Sequence, residues 1–409
     1  MANVRPRYLL AYALTAVGLC SGCNSGPADI PGTIRIVSSL PRTGSAKAQT
    51  DTIINGINMA LEEAGGKVGE FAIEHVPMDD ATASAGQWTA ELESANADAA
   101  AKDPNVMIYI GPYNSGAAKN SIPILNRANV LMISPAVTGV GFSKPGLGEP
   151  GEPGIYRESG KITFTRVVPA DDVQGALGAE WAKEMGIKKV YVLDDTEVYG
   201  KGVATIFKQT AAKLGLEVLG SESIDPKQSE FSSLMAKIKA LKPDLIYLGA
   251  TSQTKGGQIA KDMVSSGLAG DGCKLMVPDG CFENAFIQAA GNETFKKLDC
   301  FVTFGGLPPS EMKGKGKDFV EAYKGKYGVM PEGYAVYGYE AAKVALAAIG
   351  KAGKKDREAI RAAALSIKDF DGATGKWSYD ENGDTTLKVM SGNKVVDGDF
   401  KLVKVLEKK

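Results

Sequence analysis

Apolar segments alternate with amphipathic ones along most of the chain, and this alternation limits the fold more than any other sequence feature. From residue 33 the order is TIRIVSS, TIINGINMALEEA, FAIEHVPMDD, an alanine-rich helix, NVMIYI, a helix and VLMIS. The apolar residues of the first helix recur every three or four positions: Ile53, Ile57, Ala60, Leu61 and Ala64. Strands and helices that alternate in this way predict a parallel sheet covered by helices on both faces.

A second series of the same kind begins at Ile162 and predicts a second lobe. ITFTRVV is followed by a helix at 171–186, KKVYVLDD, a helix after YGKG, LEVLGSESI, a helix at 229–241, DLIYLG, a further helix and KLMVP. From 311 to about 367 the chain is predicted to be helical, and GKWSYDENGDTTLKVMSGNKVV after it reads as a hairpin. A chain of 409 residues is long enough for two such lobes.

The segment between the two series, SKPGLGEPGEPGIYRESG at 143–160, is rich in proline and glycine and predicts a surface loop. It contains a formal GxGxxG match, GLGEPG. No strand precedes the match and the prolines prevent a helix after it, so it predicts no dinucleotide site.

The N-terminus predicts export. Arg5 and Arg7 precede YLLAYALTAVGLC, an apolar run too short to span a bilayer permanently, so residues 1–23 read as a secretory signal and 24–32 as a flexible tether. The SGC that ends at Cys23 resembles a bacterial lipobox, and Cys23 fits it better than Cys20. We expect a periplasmic protein, or one lipid-anchored through Cys23 to the outer face of the cytoplasmic membrane, with plain cleavage as the alternative.

Three cysteines remain in the mature chain: Cys273, Cys281 and Cys300. In an oxidising compartment, one disulfide and one free thiol is the simplest arrangement. Cys273 and Cys300 both precede apparent strands, which favours a disulfide between them, while Cys281 lies past the other end of its strand. The alternative is three reduced, buried thiols.

Charge and motifs exclude several function classes. Forty-seven basic and 48 acidic residues leave a net charge of −1, which does not favour nucleic-acid binding. His75 is the single histidine, and the sequence has neither a GxSxG elbow nor a Cys/His metal spacing. DENGD at 380–384 lacks the remaining ligands of a calcium loop. The sequence therefore predicts no catalytic residue, no metal and no cofactor, and leaves Cys281 as the only plausible nucleophile of a rival exported α/β enzyme.

Small polar residues follow buried strands at corresponding places in the two series. IGPYNSG at 110–116 lies between NVMIY and a helix, and LIYLGATSQTKGG at 245–257 repeats that arrangement. A helix that starts at such a turn points free backbone N–H groups outward, and these suit an anion. Ser115 adds a hydroxyl there. Its alternative role is that of a helix N-cap residue.

Seven segments in order carry a resemblance to a known family: SLPRTG, IGPYNSG, ISPAVTG, RVVPADDVQG, DDTEVYGKG, VPDG and TGKWSYDENGD. Over nearly its whole mature length the chain resembles the type I periplasmic binding proteins, specifically the branched-chain amino-acid group of ABC-transporter substrate-binding proteins. The resemblance implies an α/β fold of two doubly wound lobes joined by three crossover segments. Lobe 1 is expected to comprise 33–164 and 305–370, and lobe 2 to comprise 165–304 and 371–409.

The resemblance also implies a ligand site between the lobes, formed by loops near the carboxyl ends of strands. Those loops are 112–116, 135–139, 195–200, 250–255 and 279–282. The ligand's α-carboxylate is expected to contact Ser115, Ala136 and Thr138. Its α-ammonium is expected to meet Asp279, with Tyr199 beside that acid.

Tyr113, Gln49 and Thr251 complete the implied ligand contacts. Gln49 and Thr251 stand where relatives commonly carry an aromatic residue and a tyrosine, which makes the side-chain pocket more polar or differently shaped. An aliphatic amino acid is the default ligand. Polar amino acids, amides and related small molecules are the alternative ligands.

The resemblance implies a monomer that delivers a small amino acid or related zwitterion to an ABC permease with a cytoplasmic ATPase. The ligand is expected to hold the two lobes closed. The alternative is a ligand-sensing partner of a receptor, because the fold alone does not distinguish such a protein from a transporter component.

Overall fold

The structure is a computed structural model that describes residues 27–407. The predicted signal at 1–23, with the proposed lipidation at Cys23, lies outside the described residues. Within 27–407, no helix combines the length and the apolar composition needed to cross a bilayer.

Strands and helices alternate through most of the described chain. The strands are β1 (Thr33–Leu40), β2 (Lys67–Val68), β3 (Phe71–Asp79), β4 (Val106–Ile110), β5 (Leu131–Ser134), β6 (Phe164–Arg166), β7 (Lys189–Asp194), β8 (Glu217–Ser223), β9 (Leu245–Gly249), β10 (Lys274–Val277), β11 (Cys300–Gly305), β12 (Phe370–Gly372), β13 (Gly375–Trp377), β14 (Met390–Val396) and β15 (Asp399–Leu406). The helices are α1 (Lys47–Glu63), α2 (Ala90–Lys102), α3 (Ser115–Arg127), α4 (Asp171–Glu184), α5 (Val198–Lys213), α6 (Ser232–Leu241), α7 (Gly256–Ser265), α8 (Asn284–Ala290), α9 (Asn292–Phe295), α10 (Lys315–Tyr327), α11 (Ala335–Ala352) and α12 (Arg357–Leu365).

The first sheet has the strand order β2-β3-β1-β4-β5-β6, and all its neighbours are parallel except β2 and β3. Its central strands are buried because helices cover both faces. In α1, the residues Ile53, Ile57, Ala60 and Leu61 of the predicted apolar stripe are buried, and this helix packs against α11.

The second sheet has the order β15-β14-β11-β10-β9-β7-β8, parallel from β11 through β8, with β14 and β15 antiparallel. The predicted fold class, two parallel-dominated α/β sheets, is confirmed. In the described residues the chain passes between the sheets three times, after β6, after β11 and before β14. The division into lobes at 33–164 plus 305–370 and 165–304 plus 371–409 stays a prediction.

The loop at 143–160 consists of turns and one short 3-10 helix, Gly154–Tyr156. Its Tyr156 is nevertheless buried, with its ring centroid 5.1 Å from that of Phe142. A loop rich in proline and glycine is thus anchored to the first lobe by one aromatic residue.

The predicted disulfide between Cys273 and Cys300 is wrong: Cys273, Cys281 and Cys300 are all free and buried. The strand register gives the reason, because Leu275 is the residue opposite Cys300. Cys273 is two residues from Leu275, a shift of about 6.6 Å along the strand in addition to the spacing of about 4.8 Å between strands. That separation exceeds the Cα distance of about 7 Å beyond which a disulfide cannot form. Burial raises the pKa of the Cys273 thiol to about 12.

Candidate ligand-binding cleft

Turns from both sheets meet around a small cavity between the lobes. The residues that line it are Tyr113, Asn114, Ser115, Ala136, Tyr199, Thr251, Gly280 and Tyr334. Five of them were predicted as ligand contacts: Tyr113, Ser115, Ala136, Tyr199 and Thr251. Thr138 and Asp279 are buried directly beside this lining, each about 1% exposed. The structure thus brings together parts of all five predicted loops.

The turn between β4 and α3 presents the start of a helix to the cavity. Gly111 has φ +139, and a Cβ atom there would come within 2.4 Å of the Ser39 carbonyl oxygen, so only glycine fits. Asn114 precedes the first helical residue, Ser115, and makes no side-chain cap bond. Its amide nitrogen donates instead to Gln253 Oε1 of the second lobe, at 3.0 Å. The first N–H groups of a helix lack partners within the helix, so this helix start offers donors to an anion.

Two hydroxyl groups stand beside this helix start. Ser115 Oγ accepts a hydrogen bond from the backbone N–H of Gly139 at 3.3 Å, which ties α3 to the loop that follows β5. Within residues 27–407 the Thr138 hydroxyl is buried and has no hydrogen-bond partner. Since a buried polar atom is normally paired, this atom indicates a ligand contact.

The loop that carries Thr138 is held by a buried guanidinium. Arg166 Nη1 donates to the carbonyls of Val137, at 3.1 Å, and Gly139, at 2.9 Å, on either side of Thr138. Arg166 Nε donates to Asp384 Oδ1 at 2.7 Å, and the arginine side chain is fully buried. Asp384, which lies in the DENGD segment, therefore forms this ion pair with Arg166.

The turn after β10 brings a buried acid, Asp279, to the cleft. Asp279 accepts hydrogen bonds from the hydroxyl of Tyr199, at 2.5 Å to Oδ1, and from the hydroxyl of Tyr334, at 2.6 Å to Oδ2. Burial raises the pKa of Asp279, and these hydrogen bonds oppose that rise. Gly280 N–H donates to the Tyr199 oxygen at 2.9 Å, and a Cβ at Gly280 would lie 2.8 Å from the Tyr199 ring. Tyr199 is therefore packed tightly onto the turn that carries the acid.

A second buried acid, Asp171, was not predicted from the sequence. It is the first residue of α4, it is about 1% exposed, and neither carboxylate oxygen has a partner in the described part of the chain. Burial raises its pKa well above the usual range and the neighbouring charge of Asp279 raises it further, while the nearby Thr138 hydroxyl and the charge of Arg166 oppose that rise. An acid in the first turn of a helix is common because it suits the helix dipole, so the sequence alone does not distinguish this one.

Gln49 does not line the cavity. Its amide bridges two backbone groups: Nε2 donates to the carbonyl of Phe282 at 3.3 Å, and Oε1 accepts from the N–H of Tyr334 at 3.1 Å. Thr251 does line the cavity, and its hydroxyl lies 3.1 Å from that of Thr254 in a capping box. Tyr334 was also missed, because it comes from the chain's return into the first lobe, between α10 and α11.

Comparisons with known proteins agree with this architecture. The sequence profile of the periplasmic binding protein family matches residues 33–398. The Leu/Ile/Val-binding protein BraC3 of Rhizobium johnstonii is 28% identical over 360 residues, which is 86% of this chain and 88% of that protein.

Solved structures show the same fold. The crystal structure of the leucine binding protein LivK of Thermotoga maritima has a TM-score of 0.79 at 27% identity, covering 91% of this chain and 99% of that one. A solute binding protein of R. palustris in complex with 4-hydroxybenzoate has a TM-score of 0.77 at 21% identity, covering 92% and 97%.

Proposed function

The chain belongs to the periplasmic binding protein family, and from that premise we propose that it captures an α-amino acid between its two lobes. Proteins of this family are extracytoplasmic solute-binding components rather than enzymes. One observation carries the choice of ligand: the unpaired Thr138 hydroxyl and the buried carboxylates of Asp171 and Asp279 stand beside the same cleft. A zwitterion offers a carboxylate to the donors and an ammonium to the acids.

The donor end suits the ligand's α-carboxylate. The first N–H groups of α3 and the hydroxyls of Ser115 and Thr138 lie together there. Hydrogen bonds to an ionised acceptor are shorter and about twice as strong as neutral ones. The unpaired Thr138 hydroxyl would gain its missing partner from such a ligand.

The acidic end suits the α-ammonium. Asp279 and Asp171 are both buried, and among the described salt bridges neither has a cationic partner. The charge of Asp279 raises the cost of ionising Asp171, and a cation beside both acids would offset that cost. Benzoates, which a structural neighbour binds, carry no such cation. The two acids therefore favour an amino acid over an aromatic acid.

Binding to both ends would hold the lobes closed. A ligand shifts such an equilibrium only through contacts that one state lacks, and moving closure from 1:99 to 99:1 needs about 5.5 kcal/mol of differential binding. Asp279 already links the lobes through Tyr334, and Asn114 links them through Gln253. The closed form would then deliver the ligand to an ABC permease with a cytoplasmic ATPase.

Several finer points belong to the same proposal. The protein acts as a monomer, and lipidation of Cys23 would hold it at the outer face of the cytoplasmic membrane. Relatives named for leucine, isoleucine and valine make aliphatic amino acids the first class to test. An uptake measurement distinguishes a permease from a receptor as the docking partner. Deletion of the gene should abolish import of the ligand if the partner is a permease.

A thermal-shift screen of the mature protein tests the ligand class. The panel contains the twenty amino acids, the 2-oxo acids and amines that lack one of the two charged groups, and 4-hydroxybenzoate. A ligand at 100 times its dissociation constant adds about 2.7 kcal/mol of stability. We expect a shift only with compounds that carry both groups. An equal shift with an oxo acid or with 4-hydroxybenzoate would overturn the proposal.

Replacement of Thr138 by valine keeps the side-chain shape and removes the hydroxyl that is buried without a partner. A hydrogen bond to a charged group contributes about 1.5–3 kcal/mol, so affinity for amino acids should fall about tenfold or more. Isothermal titration calorimetry measures the change. The weak binding of the matching amine, which has no carboxylate, should stay the same. Equal losses for both compounds would remove Thr138 from the carboxylate site.

A further inference from the structure

An acidic side chain at the start of α8 is buried without a hydrogen-bond partner among residues 27–407. Glu283 precedes α8, is about 1% exposed and makes no side-chain cap bond to that helix. Within residues 27–407 neither of its carboxylate oxygens has a hydrogen-bond partner. Burying an ionisable group in this way is costly unless something pairs with it. The site formed by Ser115, Thr138, Asp279 and Asp171 does not use this residue.

Glu283 lies three residues after Gly280, which lines the cavity. The carbonyl of its neighbour Phe282 accepts a hydrogen bond from Gln49 at 3.3 Å. Burial raises the pKa of Tyr113, which lines the cavity, and the charge of Glu283 is the next largest cause. Within the described chain the Tyr113 hydroxyl also has no partner. Two buried polar groups, the Tyr113 hydroxyl and the Glu283 carboxylate, are thus unpaired, and the charge of Glu283 acts on Tyr113.

The nearby Glu332 does not provide the missing hydrogen-bond partner of Glu283. Glu332 Oε1 accepts a hydrogen bond from Asn284 Nδ2 at 2.7 Å, and its Oε2 accepts one from the backbone N–H of Asn284 at 3.4 Å. Its charge acts on Glu283 as a like charge and, after burial, raises the pKa of Glu283. Glu332 therefore adds repulsion to Glu283 and no hydrogen-bond donor.

We infer that Glu283 is a specificity-determining residue whose carboxylate accepts a hydrogen bond from a donor on the ligand's side chain. The preferred ligand is then an amino acid whose side chain ends in an N–H or O–H group rather than a wholly aliphatic one. This inference rests on the proposed function, because the α-ammonium and α-carboxylate contacts are what place the side chain beside Tyr113.

The charges of the buried acids rank the possible side chains of the ligand. Asp171, Asp279 and Glu283 are buried, and none of them has a cationic partner among the described salt bridges. The α-ammonium is the counterion of the first two. An ammonium or guanidinium group at the side-chain end would neutralise Glu283 fully, an amide would pair with it without charge, and an alkyl group would leave it unpaired.

The test compares amino acids of matched shape by isothermal titration calorimetry on the mature protein. The pairs are lysine with norleucine, asparagine with leucine, and threonine with valine. A site built to bond a donor strongly rejects an analogue that lacks it, so we expect the first member of at least the lysine and asparagine pairs to bind about tenfold tighter or more. Equal or tighter binding of the aliphatic members would overturn the inference without any variant.

Variants assign the effect to one side chain. Glu283→Gln should lose the preference for lysine and keep part of that for asparagine, and Glu283→Met should lose both. Glu332→Gln removes the like charge that acts on Glu283 and should keep the same order of preference within each pair. Ratios that move with Glu332→Gln and not with Glu283→Met would refute the assignment to Glu283. If no compound of any pair binds, the proposed function itself fails, whereas binding of all compounds without preference refutes this inference alone.

Discussion

Replacement of Asp279 by asparagine is expected to abolish most of the affinity for amino acids without loss of the fold. Removing the charge from one partner of a buried ion pair costs about 2–5 kcal/mol, and each 1.4 kcal/mol is a factor of ten in affinity. We therefore expect amino-acid binding to weaken at least about tenfold, measured by isothermal titration calorimetry. The hydroxyls of Tyr199 and Tyr334 now donate to the carboxylate, and they would meet a neutral amide instead.

The same variant separates binding from stability. Burial raises the pKa of Asp279, so its ionised form costs the unliganded protein stability at neutral pH, and asparagine removes that cost. The unliganded variant should melt no lower than the wild type, while the shift produced by ligand should disappear. Asp271→Asn is a control, because the side chain of Asp271 is exposed and lies away from the cleft. Unchanged affinity in Asp279→Asn would refute the ammonium assignment.

The fold could be predicted from the sequence because its signals are local and repeated. Apolar runs such as VMIYI became buried strands, and the stripe of Ile53, Ile57 and Leu61 became the buried face of α1. The alternation predicted parallel sheets but not their strand order, because parallel strands joined by helices still have several possible arrangements. The predicted hairpin was wrong: its segment, GKWSYDENGDTTLKVMSGNKVV, contains β13 and β14, which lie in different sheets, and the observed antiparallel pair is β14 with β15.

The cleft could be predicted only in part. Asp279, Tyr199 and Ser115 stand in segments that resemble the family, so their places were implied before the fold was known. Asp171 stands in such a segment too, but nothing local distinguishes a buried helix-start acid from an exposed one. Tyr334 comes from a distant part of the chain, and only the tertiary structure brings its hydroxyl to Asp279.

The error in the cysteine pairing has a similar origin. Both Cys273 and Cys300 precede or begin strands, and that much was visible in the sequence. Which residues lie side by side depends on the register between β10 and β11, and a shift of two residues is enough to forbid the bond. Strand register is set by packing across the whole sheet rather than by the residues at one strand end.

Replacement of Asp384 by alanine is expected to cause the largest loss of stability among single changes near the cleft. Arg166 is fully buried, and Asp384 is its only ionic partner within 27–407. Arginine does not lose its charge in proteins, so the variant buries an uncompensated cation. Breaking a buried pair from one side costs about 3–5 kcal/mol, and we expect the free energy of unfolding in urea to fall by about that amount. The Ser143 hydroxyl would also lose its bond of 2.9 Å to Asp384 Oδ2.

Glu158→Ala is the matched control for Asp384→Ala, because Glu158 and Arg127 form an ion pair of 2.9 Å in which both side chains are about half exposed. Exposed pairs contribute only about 0–1 kcal/mol, so this change should be small. The Asp384 variant should also bind amino acids more weakly, since Arg166 holds the carbonyls on either side of Thr138. A loss of stability with unaltered affinity would show that the Thr138 loop keeps its place without the ion pair. Equal stability losses in the two variants would contradict the role given to the buried charge.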